Sequence, residues 1–279
     1  MLNITKLKYY EISAKNPIMV KLSTGCFDKV YHYTSKAGVE GILASNELHV
    51  TNGYYLDDTT EIKYISTVLE GIIIYLNDSK EDYYVSIDSK FYVFDAIIKT
   101  LEALNKIYKK GAPISGGDLF ILSLTKNPHN PYLMENYCRG DGAILEFNNT
   151  DMNIFKKNSY VFTTFRAEVE YDLSKQMTAI IKDINEFYCE FLDNLASNNE
   201  EIDYLVMVET VKAIIYTKVI NYSFFFKHEK YYREEEYRIM FLAVEKYANF
   251  VKTKKKFGRD IPYLKVNFDR NYLGDIKYI

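Results

Sequence analysis

Tryptophan is missing from this 279-residue chain, proline occurs 5 times and cysteine 3 times. Cys26, Cys138 and Cys189 are odd in number and widely spaced, with no Cys-x-x-Cys pair. That spacing excludes a disulfide framework and a cysteine zinc or redox motif. It points to a reducing, cytoplasmic setting. A basic excess is also missing: 35 Lys and Arg face 38 Asp and Glu, for a formal net charge of -3. The chain therefore has no global pull toward nucleic acid. Nor is there a long hydrophobic run. The longest, Val68 to Leu76, is interrupted by Glu70 and is too short to span a bilayer. Met1 to Tyr10 is mixed polar, unlike a signal peptide. No membrane partner is expected, and no internal repeat or low-complexity tract stands out.

What is present is enough apolar material for a proper core, 48% of residues. The 27 Tyr and 17 Phe belong to a bias that also favours Lys, Ile and Asn, so tyrosine number carries no argument. Residues 1–28 alternate poorly and read as an amino-terminal extension. Lys29 to Thr34 reads as a strand and Lys36 to Ala44 as a helix with Ser35 as its cap. Leu48 to Thr51 reads as a strand and Asn52-Gly53 as a turn. Helices are predicted over Asp58 to Tyr75, Ser89 to Lys109, Ser174 to Ala196 and Ile202 to Thr217, with a short helical turn at Leu133 to Cys138. Strands are predicted over Leu119 to Lys126, Gly142 to Asn148, Arg166 to Tyr171, Glu234 to Val244 and, as the last, Tyr263 to Phe268. Ala112 to Gly117 is the best hinge. Strands and helices do not alternate regularly. The expected fold is therefore α+β, a mixed or antiparallel sheet in one domain over 1–279, with helical insertions near 58–109 and 174–220.

Two motifs about two hundred residues apart carry the chemistry. In Tyr31-His32-Tyr33-Thr34-Ser35, a strand puts His32 and Thr34 on one face and Tyr31 and Tyr33 on the other. A neutral imidazole both donates and accepts, which suits ribose hydroxyls; the alternative is a satisfied histidine at the rim of a core. Ser35, as a cap, leaves backbone amides pointing at the site. In Glu234-Glu235-Glu236-Tyr237-Arg238, a strand aims Glu234, Glu236 and Arg238 at one face. Two close carboxylates raise each other's proton affinity. Burying them makes sense around a cation or a sugar developing positive charge; the alternative is an exposed edge strand where Arg238 neutralises the pair. Between these motifs, Phe120 to Thr125 ends in alternate hydroxyls, Ser123 and Thr125. Followed by the turn at Asn130 to Tyr137, it offers a pocket floor. Tyr137 either stacks on a planar ring there or joins the core. Asp57, Asp58 and Glu61 read as an acidic helix start. Lys252 to Lys256 reads as a solvated loop, with a local guide for a nucleic-acid strand as the sharper alternative.

The order of these motifs resembles a widespread prokaryotic domain-of-unknown-function family. Its Tyr-His-Tyr-Thr-Ser-like strand and Ile-Leu-x-x-x-x-Leu helix exit are Tyr31 to Ser35 and Ile42-Leu43 to Leu48 here. Its Asn-Asp-x-x-Glu becomes Asp57-Asp58-Thr59-Thr60-Glu61, and its Phe-x-x-Ser-Leu-Ser strand becomes Phe120 to Thr125. Its Trp-x-x-Tyr turn is Met134 to Tyr137, and its Gly-x-x-x-x-Phe strand is Gly142 to Phe147. Its closing Lys-x-x-x-Trp-x-x-Glu-x-Glu-x-Arg is Lys227, Tyr231, Glu234, Glu236 and Arg238. Met134 and Tyr231 thus replace two tryptophans.

That family in turn resembles the ADP-ribosyltransferase superfamily. The resemblance implies an ADP-ribosyltransferase-like fold and NAD as cofactor, with no metal. It implies that His32 binds the nicotinamide-side ribose with support from Thr34, and that Tyr54 or Tyr55 stacks on nicotinamide. Glu236 would hydrogen-bond the ribose and stabilise an oxocarbenium-like transition state, while Glu234 orients or deprotonates the acceptor. Tyr33, Ser35, Ser123, Thr125, Tyr137 and Arg238 complete the expected cofactor-binding set. The expectation is an NAD-dependent ADP-ribosyltransferase, a toxin or phage-defence effector acting on an RNA or protein acceptor and restrained by an antitoxin or immunity protein. The alternatives are an NAD glycohydrolase, a metal-dependent nuclease using Glu234, Glu236, Asp57 and Glu61, and a non-enzymatic binding module.

Overall fold

The computed structural model describes residues 27–56, 60–83, 92–111, 118–138, 140–148, 163–197, 204–243, 250–256 and 258–279. In chain order these contain β1 (Lys29–Ser35), α1 (Lys36–Ser45), β2 (Glu47–Asn52), α2 (Glu61–Asp78), α3 (Lys80–Tyr83) and α4 (Val93–Lys110). Next come β3 (Asp118–Thr125), α5 (Pro131–Tyr137), β4 (Gly142–Asn148), β5 (Thr163–Glu168), α6 (Leu173–Ser197) and α7 (Tyr204–Ser223). The last four are β6 (Glu236–Ala243), β7 (Lys252–Lys256), β8 (Arg259–Asn267) and β9 (Leu273–Tyr278). The fold is α+β, as the sequence implies. Most of the expected N-terminal extension and all of the Ala112 to Gly117 hinge lie outside the described residues, as do Asp57 and Asp58.

Two compact units emerge. In one, α2, α3, α4, α6 and α7 come together, so the stretches that read as two separate insertions share a core. α2 packs on α4 and α4 on α7. Val68, Leu69 and Ile72 on α2, Ile97 and Leu101 on α4, and Val211 and Ile215 on α7 are buried at helical spacing. This unit also buries two ion pairs, Lys218 Nζ to Asp183 Oδ1 at 2.7 Å and Lys227 Nζ to Glu61 Oε2 at 3.3 Å.

The other unit holds every strand, with α1 and α5. The strands form a curled antiparallel sheet in the order β7-β8-β2-β3-β1-β4-β9, with β6 on the other edge of β3 and β5 beyond it. Strand alternation sorts the side chains. Val30, Leu48, Val50, Phe120, Leu122, Leu124, Leu145, Phe147, Ile239, Leu264 and Val266 cluster on one face. Tyr33, Ile144, Leu133 and Cys138 make a smaller cluster on the opposite face under α5, with Tyr31, Tyr132 and Met134 beside them. Met134 packs against that second core.

Several expected boundaries shift. Lys252 to Lys256 is a strand and not a loop, because β8 supplies it with a partner from Lys252↔Tyr263 to Lys256↔Arg259. β8 is not the last strand: β9, whose residues are mostly half-exposed or exposed, pairs with β4. The strand expected from Glu234 begins at Glu236.

Candidate functional site

β3 organises the site. Along one edge it pairs with β6 throughout, from Asp118↔Ala243 to Thr125↔Glu236. Its other edge is shared. β2 takes the first part, at Asn52↔Phe120 and Thr51↔Ile121, and β1 takes the end, at Tyr31↔Thr125. β1 and β2 therefore part company alongside Leu122, Ser123 and Leu124. Ser123 is exposed even though it lies inside a central strand.

His32 stands in this opening, one residue past the Tyr31↔Thr125 pair. Its Nδ1 lies 3.1 Å from the backbone oxygen of Ser123, so the imidazole takes a place that a strand amide would otherwise fill. A carbonyl only accepts, so Nδ1 carries the proton and Nε2 of the neutral ring is an acceptor. Burial, and then the charge of Lys254, push His32 below the ordinary histidine value, against the upward pull of the Ser123 carbonyl. The ring is therefore neutral at pH 7.

The other first-motif residues have separate tasks. Ser35 caps α1, accepting from the Gly38 amide at 3.1 Å, as expected. Thr34 is half-buried, and its hydroxyl lies where a Cβ on Gly38 would come within 2.3 Å, so a larger residue there would make the Thr34 side chain shift. Tyr33 is buried on the α5 side. Its hydroxyl donates to the Asn127 carbonyl and accepts from the Asn130 amide, each at 3.0 Å.

The acidic motif departs most from expectation. Glu229–Glu234 is a 3₁₀ turn, and Glu235 adopts φ 46 before β6 begins. A residue in the left-handed region breaks extended alternation, so Glu234 and Glu236 are not equivalent positions of one strand. Both are buried, at 7% exposure each, and Arg238 is buried at 1%. Arg238 grips Glu236 with both oxygens engaged, Nε to Oε1 and Nη2 to Oε2, each at 2.8 Å. The cation that a buried carboxylate requires is thus Arg238 itself, and it sits in the interior of the sheet, not on an exposed edge.

A polar scaffold holds the strained turn. Thr125 Oγ1 donates to the Glu235 carbonyl at 2.9 Å, and Asn127 Nδ2 donates to Glu235 Oε2 at 2.7 Å. Asn130 Nδ2 reaches the carbonyls of Arg233 at 2.7 Å and Glu234 at 3.4 Å, while Asn130 Oδ1 caps α5 by accepting from Leu133 N. Through Asn127 and Asn130, Tyr33 of the first motif is connected to the turn that carries the last. Sequence reasoning missed Asn127, Asn130 and Glu235. Asn130-Pro131, a cap followed by proline at the first helical position, was the one readable signal.

Register settles which residues meet. Tyr31, Thr125 and Glu236 form one cross-strand row, and Ser123 and Arg238 belong to the next row on the same face. His32 and Thr34 share a face with Val30, opposite that of Tyr31. His32 therefore reaches β3 through the gap, edge-on, and not from the face that carries Ser123, Thr125 and Glu236. Tyr54 and Tyr55 lie in the 3₁₀ turn that follows β2, Tyr54 half-buried and Tyr55 45% exposed. Tyr137 is 49% exposed at the end of α5. Glu61 of the nuclease set lies in the helical unit, paired with Lys227. Among the described residues no group of three His, Cys, Asp or Glu side chains is placed to hold a metal ion. No protein-family model, curated protein or solved structure matches this chain.

Proposed function

We propose that this protein is an NAD-dependent ADP-ribosyltransferase, with the site at the opening between β1 and β2. The observation that carries the reading is the row Tyr31–Thr125–Glu236, which brings the first, middle and last motifs within two strand spacings of one another, about 10 Å. His32 lies next to that row. NAD, held by His32 and Glu236, would supply the ADP-ribosyl group, with nicotinamide leaving with the bonding electron pair as an acceptor takes its place. The residues present fit that group. With Nδ1 engaged by Ser123, His32 offers Nε2 as an acceptor for a ribose hydroxyl. Glu236, its charge balanced and its orientation fixed by Arg238, keeps a further acceptor position on each oxygen that would take a ribose hydroxyl. Glu234 is the carboxylate that receives the acceptor's proton.

The toxin or phage-defence role, and restraint by an antitoxin, belong to the same proposal. Incubating the protein with NAD labelled in its adenylate part and whole-cell extract tests it. Label on RNA or protein, made by wild type and not by Glu236→Gln, supports a transferase; free labelled ADP-ribose alone points to the glycohydrolase. A second reading, a non-enzymatic module, draws on the Glu236–Arg238 pair, which already gives the carboxylate a partner. It predicts that NAD stays intact and that Glu236→Gln alters stability alone.

A further inference from the structure

The face of the sheet formed by β7, β8 and β2 carries a charge pattern that the site does not use. β7 is an edge strand, so alternation sends Lys252 and Lys254 to one face and Lys255 to the other. Register places Tyr263 opposite Lys252, and His49 opposite Lys265, on the same face as Lys252 and Lys254. The Tyr263 ring lies 4.5 Å from the His49 ring at an interplanar angle of 36°, and Lys254 Nζ stands 5.4 Å from the Tyr263 centroid. Lys252 and His49 are exposed, and Lys254 and Tyr263 are half-buried. Lys255, on the other face, lies 3.9 Å from Asp260.

On this face Lys252, Lys254 and Lys265 outnumber Glu47, which pairs with Lys265 at 2.5 Å, although the chain is acidic. Partial burial and then Lys254, Lys265 and Lys252 lower the His49 pKa, overriding the opposing Glu47. Lys254 also reaches His32 electrostatically. Lysines along an edge strand guard it against pairing with another chain. That role does not call for an exposed histidine tilted against a tyrosine beside them.

We infer that this face binds single-stranded nucleic acid, with Lys252 and Lys254 on successive phosphates and His49 and Tyr263 as a stacking platform for a base. Lysines two apart on a strand are about 7 Å apart, commensurate with an extended sugar-phosphate chain. An exposed aromatic face accepts an unstacked base and rejects a paired one. That the bound strand is also the acceptor rests on the transferase reading; the binding does not.

Fluorescence anisotropy of the full chain with labelled oligo(U), oligo(dT) and a duplex of the same length tests the surface. Single strands bind more tightly than duplex, and oligo(U) against oligo(dT) tells RNA from DNA. Lys252→Ser with Lys254→Ser weakens binding and flattens the slope of log affinity against log salt by about 1.4, two contacts at about 0.7 each. Lys255→Ser leaves both unchanged, and His49→Ala lowers affinity without changing the slope. No saturable binding, duplex preferred over single strand, or Lys255→Ser matching the double variant overturns the inference. NAD consumed without oligonucleotide binding defeats the surface and spares the transferase; binding with NAD untouched does the reverse.

Discussion

Asn130 is the residue whose replacement separates structure from site most cleanly. It is 2% exposed and does two jobs: Oδ1 caps α5 at the Leu133 amide, and Nδ2 donates to the carbonyls of Arg233 and Glu234. Loss of the cap costs about 1 kcal/mol. Leaving the buried carbonyl acceptors without a donor costs about 1–3 kcal/mol more. Asn130→Ala removes both. Asn130→Asp keeps the cap, since aspartate caps as well as asparagine, but it cannot donate and sets a carboxylate against two carbonyl oxygens. Hydrogen–deuterium exchange reads the two regions separately. In Asn130→Ala, exchange accelerates in peptides over 230–238 and over α5, by a combined 2–4 kcal/mol or about 30- to 1,000-fold. In Asn130→Asp, acceleration is confined to 230–238 and α5 keeps its wild-type rate. Wild-type exchange over 230–238 in both variants, or equal loosening of α5 in the aspartate variant, would refute the scaffold.

Three further outcomes follow from the same geometry. Tyr33→Phe strips the hydroxyl shared by Asn127 and Asn130 and lowers stability by about 1–3 kcal/mol in urea unfolding followed by circular dichroism; an unchanged midpoint contradicts this. His32 has a lowered pKa in the fold, so the unfolded chain takes up its proton first as pH falls. The stability it contributes is present above about pH 6.5 and is lost as pH drops through the depressed folded value. NMR titration of the His32 ring checks this: Lys254→Met moves the value upward, and titration of the wild-type ring above the ordinary range sinks the argument. Arg238→Met leaves the Glu236 carboxylate buried without its bidentate partner and costs about 3–5 kcal/mol. Adding Glu236→Met recovers more than about 1 kcal/mol of that loss in a double-mutant cycle, and strict additivity excludes the ion pair.

Local signals in the sequence reach some of this and stop at others. β4 is found at its full length, Gly142–Asn148, because its apolar run is bounded by a glycine and polar residues. The Ser35 cap is equally legible, since capping is decided within one turn. β7 reads as a loop because five residues of Lys and Thr carry no apolar face, and strand formation there depends on β8. The start of β6 is misplaced because nothing in Glu-Glu-Glu announces that the middle one takes a left-handed backbone. That conformation is held from outside, by Thr125, Asn127 and Asn130. The opening between β1 and β2 depends on two strands sharing one edge of β3, a non-local pairing that periodicity cannot express.

The most direct test of the transferase reading is nicotinamide release from NAD by the purified chain with cell extract. Wild type is compared with Glu236→Gln and His32→Ala, each first shown by circular dichroism to be folded. The reading predicts steady release by wild type and a loss of about 10²–10³-fold in the folded Glu236→Gln variant. No release by wild type, or release undiminished in both folded variants, would contradict it.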